Sequence, residues 1–179
     1  NQDYSKEKDG GRALNGDHAI RLDYPQEKTR RQNPMTASLR LFLPEAYERA
    51  WVYGQSQATL DSGYRGITVM VEEGKATVKI AHFYPGNAIE IVSREQLPIK
   101  RWVHLTMSYD GSSRADGVRI YLDGKQLAVE VRYDTLTNKI DTNKAFKHVV
   151  IGAINRDKGL KGAKLKSFQL YEAALDPSQ

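Results

Sequence analysis

Apolar and polar residues alternate most regularly between Arg101 and Gly124, in two runs on either side of a polar Asp-Gly-Ser-Ser-Arg-Ala-Asp-Gly connection. Such alternation is typical of β-strands that have one face against a core, because successive side chains point to opposite sides. The residues expected to face the core are Val103, Leu105, Met107, Tyr109, Val118, Ile120 and Leu122. Asp123-Gly124 supplies the positive-φ pair that a tight hairpin turn needs. The segment therefore predicts two strands of an antiparallel sheet.

Shorter alternating runs fill most of the remaining chain. They predict strands at residues 17–22, 36–43, 50–54, 67–71, 76–83, 88–92, 126–131, 148–152 and 160–171, and one helical turn at 44–49. The run at 126–131 is expected to continue the hairpin that turns at Gly124. Turn signals such as Pro85-Gly86 separate the runs. Ten or more short strands without a long helix indicate an all-β sandwich or barrel.

Length and composition describe one globular domain. The chain has 179 residues, of which 40% are hydrophobic and 27% charged, and all-β domains of this size are common. We expect a linker or loose arm at residues 1–11, the domain at 12–175 and the start of another linker at 176–179. Because the sequence begins with Asn1 and not Met, we expect a piece of a longer protein. No apolar run approaches the ~20 residues that cross a bilayer, so membrane insertion is not expected.

The net charge of +5 is concentrated in two basic clusters. The larger contains Arg156, Lys158, Lys161, Lys164 and Lys166, and the smaller contains Lys28, Arg30 and Arg31. A solvated basic surface is the simpler interpretation, and a patch that recruits an acidic glycan or a phosphate is the alternative. Nucleic-acid binding is not expected, because no helix carries the charge and no recognition motif accompanies it.

Catalytic groups are sparse. A glycosidase needs two carboxylates that flank the scissile bond, yet Glu72 and Glu73 are adjacent and point to opposite faces, and Glu90 has no acidic partner on its own strand. Neither a lyase signature nor a serine nucleophile motif is present. The absence of cysteine excludes thiolate metal sites, and the histidines are dispersed: His18, His82, His104 and His148. We therefore predict a protein that is not an enzyme and has no metal site and no cofactor.

The stretch from His82 to Asn87 is the first candidate binding site. A Pro-Gly turn would hold Phe83 and Tyr84 at a strand end, beside the Asn87 amide. Aromatic faces that stack on a sugar, next to an amide that reads hydroxyls, are a normal way to build a shallow glycan site. The alternative is structural: Phe83 covers the edge of the core, Asn87 caps the turn and His82 makes internal hydrogen bonds.

A second candidate lies on the polar sides of the two central strands. His104, Arg119 and Tyr121, together with Thr106 and Ser108, are expected to share one face of the sheet, where they would form the floor of a binding surface. The alternative is an ordinary polar sheet surface, or one that a loop covers. Trp51 and Trp102 are expected in the core.

Three runs carry a resemblance to a known family: WVHLTMSYDG at 102–111, VRIYLDG at 118–124 and GAKLKSFQLYEAAL at 162–175. They resemble the central and final strands of laminin-G-like modules of the concanavalin A-like type. The string HFYPGN at 82–87 is similar to the branch found in large secreted, cytochrome-c-containing multidomain proteins of planctomycete bacteria. The resemblance implies a jelly-roll β-sandwich of two antiparallel sheets, export to the periplasm or cell surface, and flanking domains as partners.

One departure from the family concerns calcium. Acidic residues often open the last strand of these modules, where Lys166 and Ser167 stand in this chain. An ammonium group cannot coordinate a cation, which argues against the calcium site of related jelly-rolls.

Together these observations predict a non-catalytic recognition module that binds a polysaccharide or other glycan within a larger exported protein. The main alternative is a structural module that packs on neighbouring domains. A polysaccharide lyase or a glycosidase is the remote alternative.

Overall fold

The structure, a computed structural model, describes residues 10–57, 64–141, 147–154 and 159–178. The strands are β1 (Arg12–Ala13), β2 (Ile20–Asp23), β3 (Met35–Phe42), β4 (Arg49–Gln57), β5 (Arg65–Glu72), β6 (Lys75–Phe83), β7 (Asn87–Gln96), β8 (Trp102–Tyr109), β9 (Val118–Leu122), β10 (Lys125–Gln126), β11 (Val129–Asp134), β12 (His148–Ile151) and β13 (Lys164–Tyr171). Short 3₁₀ helices span Gln26–Lys28 and Ala115–Gly117. The helical turn predicted at 44–49 was wrong, because these residues form bends that lead into β4.

The strands form two antiparallel sheets. The six-stranded sheet has the order β1-β13-β3-β8-β9-β10, and the seven-stranded sheet has the order β11-β7-β6-β5-β4-β12-β2. Strands distant in sequence are neighbours in both sheets, as when β13 pairs with both β1 and β3. Two such sheets packed face to face are a jelly-roll β-sandwich, so the predicted fold class is confirmed.

Alternate residues of both sheets fill the space between them, as the pattern predicts. Val103, Leu105, Met107 and Tyr109 of β8 are at most 2% exposed and belong to the continuous core. Full burial of each large apolar side chain contributes about 1.5–3 kcal/mol relative to leaving it in water. The residues that lie between these core positions on each strand must then form the outer faces of the sandwich.

The two tryptophans differ from the prediction. Trp51 is buried, and its indole N–H donates to the Val150 carbonyl at 2.9 Å, but it does not belong to the core between the sheets. Trp102 is only half-buried, because the alternation that places Val103 in the core directs Trp102 to the outer face of β8. There it packs against Phe42, with 5.9 Å between the ring centroids.

The hairpin after β9 is shorter than predicted. Asp123 and Gly124 form the expected turn, with φ values of 51° and 81°. Only Lys125–Gln126 continues the ladder with β9, whereas Val129–Asp134 pairs with β7 in the other sheet. The chain crosses between the sheets through Leu127, which is buried in the core. Alternation shows which side of a strand is apolar, but it does not show which sheet the strand joins.

Replacing Ile120 with alanine should lower the free energy of unfolding by about 2–5 kcal/mol, since deleting a buried side chain leaves a cavity. Ile120 is 1% exposed. Urea unfolding followed by tryptophan fluorescence measures the change. Gln126→Ala, on an exposed position of β10, is the control and should shift stability by no more than about 0.5 kcal/mol. Equal, small changes in both variants would contradict the packing of β9 against the core.

Candidate functional site

The outer face of the seven-stranded sheet is unusually buried for a surface that points away from the core. Thr77, Lys79 and Glu90 alternate with core residues along β6 and β7, yet they are only 0%, 5% and 1% exposed. Side chains on an outer face are shielded from solvent only where neighbouring side chains or other segments pack against them. This face therefore forms the floor of a recess.

A cavity of about 340 Å³ opens at this position. Its volume falls within the range of small-ligand sites, about 300–1,000 Å³. The lining residues are mostly charged: Glu48, Arg49, Glu72, Glu73, Lys79, Tyr84, Glu90 and Arg132. We call this cavity the charged pit.

Each buried charge in the pit has a partner of opposite sign. Lys79 Nζ lies 2.8 Å from Glu72 Oε1, and Arg49 Nε lies 3.6 Å from the same oxygen. Arg132 Nη1 donates to Glu90 Oε1 at 3.3 Å. Pairing is required here, because an isolated charge removed from water costs several kcal/mol. The result is a polar surface on which carboxylates and cations alternate.

Tyr84 lines the pit and contacts two other tyrosines. The ring of Tyr84 stacks on Tyr64 at a centroid distance of 4.6 Å, and it meets the edge of Tyr133 at 5.7 Å. The Tyr84 hydroxyl donates to Glu90 Oε2 at 2.7 Å. Burial, followed by the hydrogen bond to Glu90 and its charge, raises the pKa of Tyr84 well above the ordinary value. The hydroxyl therefore stays protonated and keeps donating to the carboxylate.

The residues predicted as the first candidate site, between His82 and Asn87, point to different places in the structure. Tyr84 enters the pit, whereas Phe83 points towards solvent with 56% of its surface exposed. His82 Nδ1 lies 2.6 Å from the Lys139 carbonyl. The Asn87 side chain donates to the Thr135 carbonyl and accepts from the Asn138 amide at 2.9 and 3.0 Å. His82 and Asn87 thus fasten the loop after β11, and their role in ligand binding stays a prediction.

The second predicted group lies on the outer face of the six-stranded sheet, where part of the face is covered. The C-terminal segment 172–178 crosses it, since Thr36 Oγ1 donates to the Ala173 carbonyl at 2.7 Å and accepts from the Leu175 amide at 2.8 Å. Tyr121 is only 1% exposed. Its pKa is raised by burial and then by the negative charge of Asp176. Among the predicted residues, the cover leaves His104 exposed and Arg119 half-buried.

His104 belongs to a ladder of hydroxyl groups along this face. Its Nε2 lies 2.6 Å from Ser38 Oγ, which in turn lies 2.9 Å from Thr106 Oγ1. Thr36 Oγ1 lies 3.3 Å from Ser108 Oγ further along. These contacts satisfy the buried hydroxyls of β3 and β8, and ligand binding by His104, Arg119 and Tyr121 stays a prediction.

Sequence reasoning missed the charged residues of the pit. Glu72, Lys79, Glu90 and Arg132 come from four strands, and they meet only because β5, β6, β7 and β11 are neighbours in the sheet. Glu72 and Glu90 lie on different strands, β5 and β7, but line the same cavity from either side of β6. One signal was available: Lys79 and Glu90 interrupt strongly apolar strands at outward positions.

Within the described ranges, no cluster of three or more His, Cys, Asp or Glu side chains is arranged to hold a metal ion. Of the helices in the part of the chain that the structure describes, none has the length and apolar character needed to span a bilayer.

Sequence comparison identifies the family. A sequence model of the laminin G 3 type, described as the concanavalin A-like lectin/glucanases superfamily, matches residues 15–179. The chain belongs to this superfamily. No curated protein sequence matches the chain.

Solved structures show the same concanavalin A-like fold. The binding domain of Paraclostridial Mosquitocidal Protein 1 gives a TM-score of 0.68 at 13% identity, covering 98% of this chain and 43% of that one. Domain 4 of the extracellular arabinanase AbnA from Geobacillus stearothermophilus, solved with arabinotriose, gives a TM-score of 0.62 at 20% identity. This match covers 98% of the present chain and 77% of the arabinanase chain. The CBM40 of the Ruminococcus gnavus IT-sialidase, bound to α2,3-sialyllactose, gives a TM-score of 0.69 at 10% identity. This match covers 93% of the present chain and 92% of the CBM40 chain. The chain thus spans less than half of the toxin domain but most of the other two.

Replacing Asn87 with alanine should loosen the loop after β11. The amides of Thr137 and Asn138 both donate to Asn87 Oδ1, at 3.3 and 3.0 Å, and lose this acceptor in the variant. We expect their hydrogen exchange to quicken about tenfold, which corresponds to the loss of a hydrogen bond worth about 1–1.5 kcal/mol. Asn138→Ala keeps the acceptor and is the matched control. Unchanged protection of both amides in the Asn87 variant would show that the side chain does not hold the loop.

Proposed function

We propose that this concanavalin A-like domain is a non-catalytic module that binds a glycan in the charged pit. The observation that supports it best is the convergence of Glu72, Lys79, Glu90 and Arg132 around one cavity beside Tyr84. Sugar hydroxyls both donate and accept hydrogen bonds, so a surface of alternating carboxylates and cations suits them. The related fold of modules solved with arabinotriose and sialyllactose is consistent with this role.

The charge balance of the pit favours a neutral sugar. Lys79 and Arg132 are each already paired with a carboxylate, and Glu48 and Glu73 add further negative charge to the lining. An acidic sugar would bring a carboxylate next to these groups without an unpaired cation inside the pit to receive it, and like charges at short range repel. A neutral oligosaccharide avoids this cost. Tyr133, which is 37% exposed, offers a further aromatic surface next to Tyr84.

Arg132 provides the sharpest test of glycan binding in the pit. Its side chain is 41% exposed, so a ligand can reach it, and it contacts Glu90. Titration calorimetry with a panel of neutral oligosaccharides, including arabinotriose and xylotriose, and with 3′-sialyllactose measures binding. We expect at least one neutral ligand to bind and Arg132→Gln to weaken it about tenfold, the cost of about one charge-assisted hydrogen bond. Tyr84→Phe should weaken it less, because the ring remains.

Arg94→Gln is the control, since Arg94 is exposed near the end of the neighbouring strand β7 and does not line the pit. It should bind as tightly as the wild type. Binding of only the acidic ligand, or an equal loss in the Arg94 and Arg132 variants, would contradict the proposal. Glycan release in a reducing-sugar assay would contradict the non-catalytic part.

A protein-contact role is the second candidate, and Phe83 favours it. An aromatic side chain that is 56% exposed at a turn is a normal anchor for a partner surface. In this alternative the module packs on flanking domains of a larger exported protein of the planctomycete branch, as the sequence resemblance implies. Phe83→Ser would then abolish binding to the separately expressed flanking domains while leaving glycan binding unchanged.

A further inference from the structure

The last strand of the seven-stranded sheet, β2, has an open edge. It pairs on one side with β12, and no strand of the described ranges lies on its other side. Arg21, Leu22 and Asp23 are all exposed, Leu22 at 40%. An open edge presents a row of backbone N–H and C=O groups that a further strand can pair with.

The register of β2 shows which backbone groups face the open side. The Tyr24 amide donates to the Lys147 carbonyl at 3.1 Å, one step beyond the ladder that joins β2 to β12. Only every second residue of an antiparallel strand bonds to a given neighbour. Leu22 therefore bonds to β12, whereas the N–H and C=O groups of Arg21 and Asp23 point away from it.

The exposed residues of β2 are complementary to a second copy of themselves. When two β2 strands lie antiparallel around a two-fold axis at Leu22, Arg21 of each copy is opposite Asp23 of the other. These are the residues whose backbone groups point outward, so each such pair can exchange both N–H···O bonds. Opposite charges directly across neighbouring strands stabilise the pairing. The two Leu22 side chains then meet in the closer, non-hydrogen-bonded pair.

Charge also selects this register over its neighbours. Moving the axis by one residue would place Arg21 opposite Arg21, or Asp23 opposite Asp23, and like charges in that position are destabilising. The Asp23 side chain is 87% exposed, although its Oδ1 lies 2.9 Å from His148 Nδ1. A carboxylate has two acceptor oxygens, so it can contact an arginine of a second copy as well. Pro25 lacks an N–H and ends the new ladder.

The other sheet edges are less suited to pairing. β1 and β10 contain only two residues each. β11 has a register shift between Val131 and Tyr133, and a bulge of this kind protects an edge against pairing. The register of β2 is unbroken from Ile20 to Asp23.

We propose that β2 pairs with β2 of a second copy of this chain, so that two seven-stranded sheets join in a symmetric dimer. β2 has only four residues, whereas a stable interface uses roughly 20–30 residues a side. The dimer is therefore weak, with a dissociation constant of about 0.1 mM.

Dimerisation through β2 leaves the charged pit open. The pit is lined from β5, β6, β7 and β11, towards the opposite edge of the sheet. A dimer would thus carry two pits and hold a long polysaccharide more tightly than one copy does. This consequence rests on the proposed glycan function, but the dimer itself does not.

Sedimentation equilibrium from about 10 µM to about 1 mM tests the proposal. The average mass of the wild type should rise from one chain towards two. Asp23→Arg sets arginines opposite each other and should weaken association at least about tenfold. Arg21→Asp combined with Asp23→Arg restores opposite charges and should recover association, although it lacks the same contact with His148.

Glu130→Arg is the matched control, because it makes the same charge change on β11 at the other edge of the sheet. It should associate like the wild type. Hydrogen exchange tests the register: the amides of Arg21 and Asp23 should exchange more slowly as the protein concentration rises. The Leu22 amide already bonds to β12 and should change less.

Three results would overturn the proposal. They are a wild type that stays monomeric at about 1 mM, a charge-swapped double variant that does not recover association, and an equal loss in the Glu130 variant. The sedimentation experiments contain no sugar, so their outcome is independent of whether the pit binds a glycan.

Discussion

Burial of every second residue between two sheets is the constraint on which the rest of this structure depends. Because Val78 and Ile80 must face the core, Lys79 has to point outward, and the same alternation on β7 turns Glu90 outward between Ile89 and Ile91. The register then pairs Lys79 with Glu90 on neighbouring strands. The core thus places charges on the outer face, where Glu72 pairs with Lys79, and Tyr84 and Arg132 bind Glu90.

The fold was largely predictable, because the information that specifies it is local. The core face of β8 and the Asp123-Gly124 turn follow directly from residues next to each other in the chain. The partner of β11 did not follow, since Val129–Asp134 pairs with a strand more than thirty residues away. Pairing between distant strands is set by the packing of the whole sheet, which a pattern along one strand does not contain.

The candidate site was only partly predictable for the same reason. Tyr84 was recognised from its turn, and it does line the pit. Glu72, Lys79 and Arg132 were not recognised, because they lie on three different strands and Arg132 is more than fifty residues from the other two. Phe83 and Asn87 were predicted to belong to the site, yet Phe83 points to solvent and Asn87 holds the loop after β11. Local motifs therefore indicated Tyr84, and only the strand order brings the charged residues of the pit next to it.

The pairing of charges on the outer face of the seven-stranded sheet underlies the proposed ligand. Within the pit Lys79 pairs with Glu72 and Arg132 pairs with Glu90. Chemical-shift mapping of the backbone amides during titration with a neutral oligosaccharide that binds tests the central claim most directly. The shifts should concentrate around Lys79, Glu90 and Arg132 on β6, β7 and β11. Shifts confined to β3, β8 and β13 would place the sugar on the opposite sheet and contradict the account.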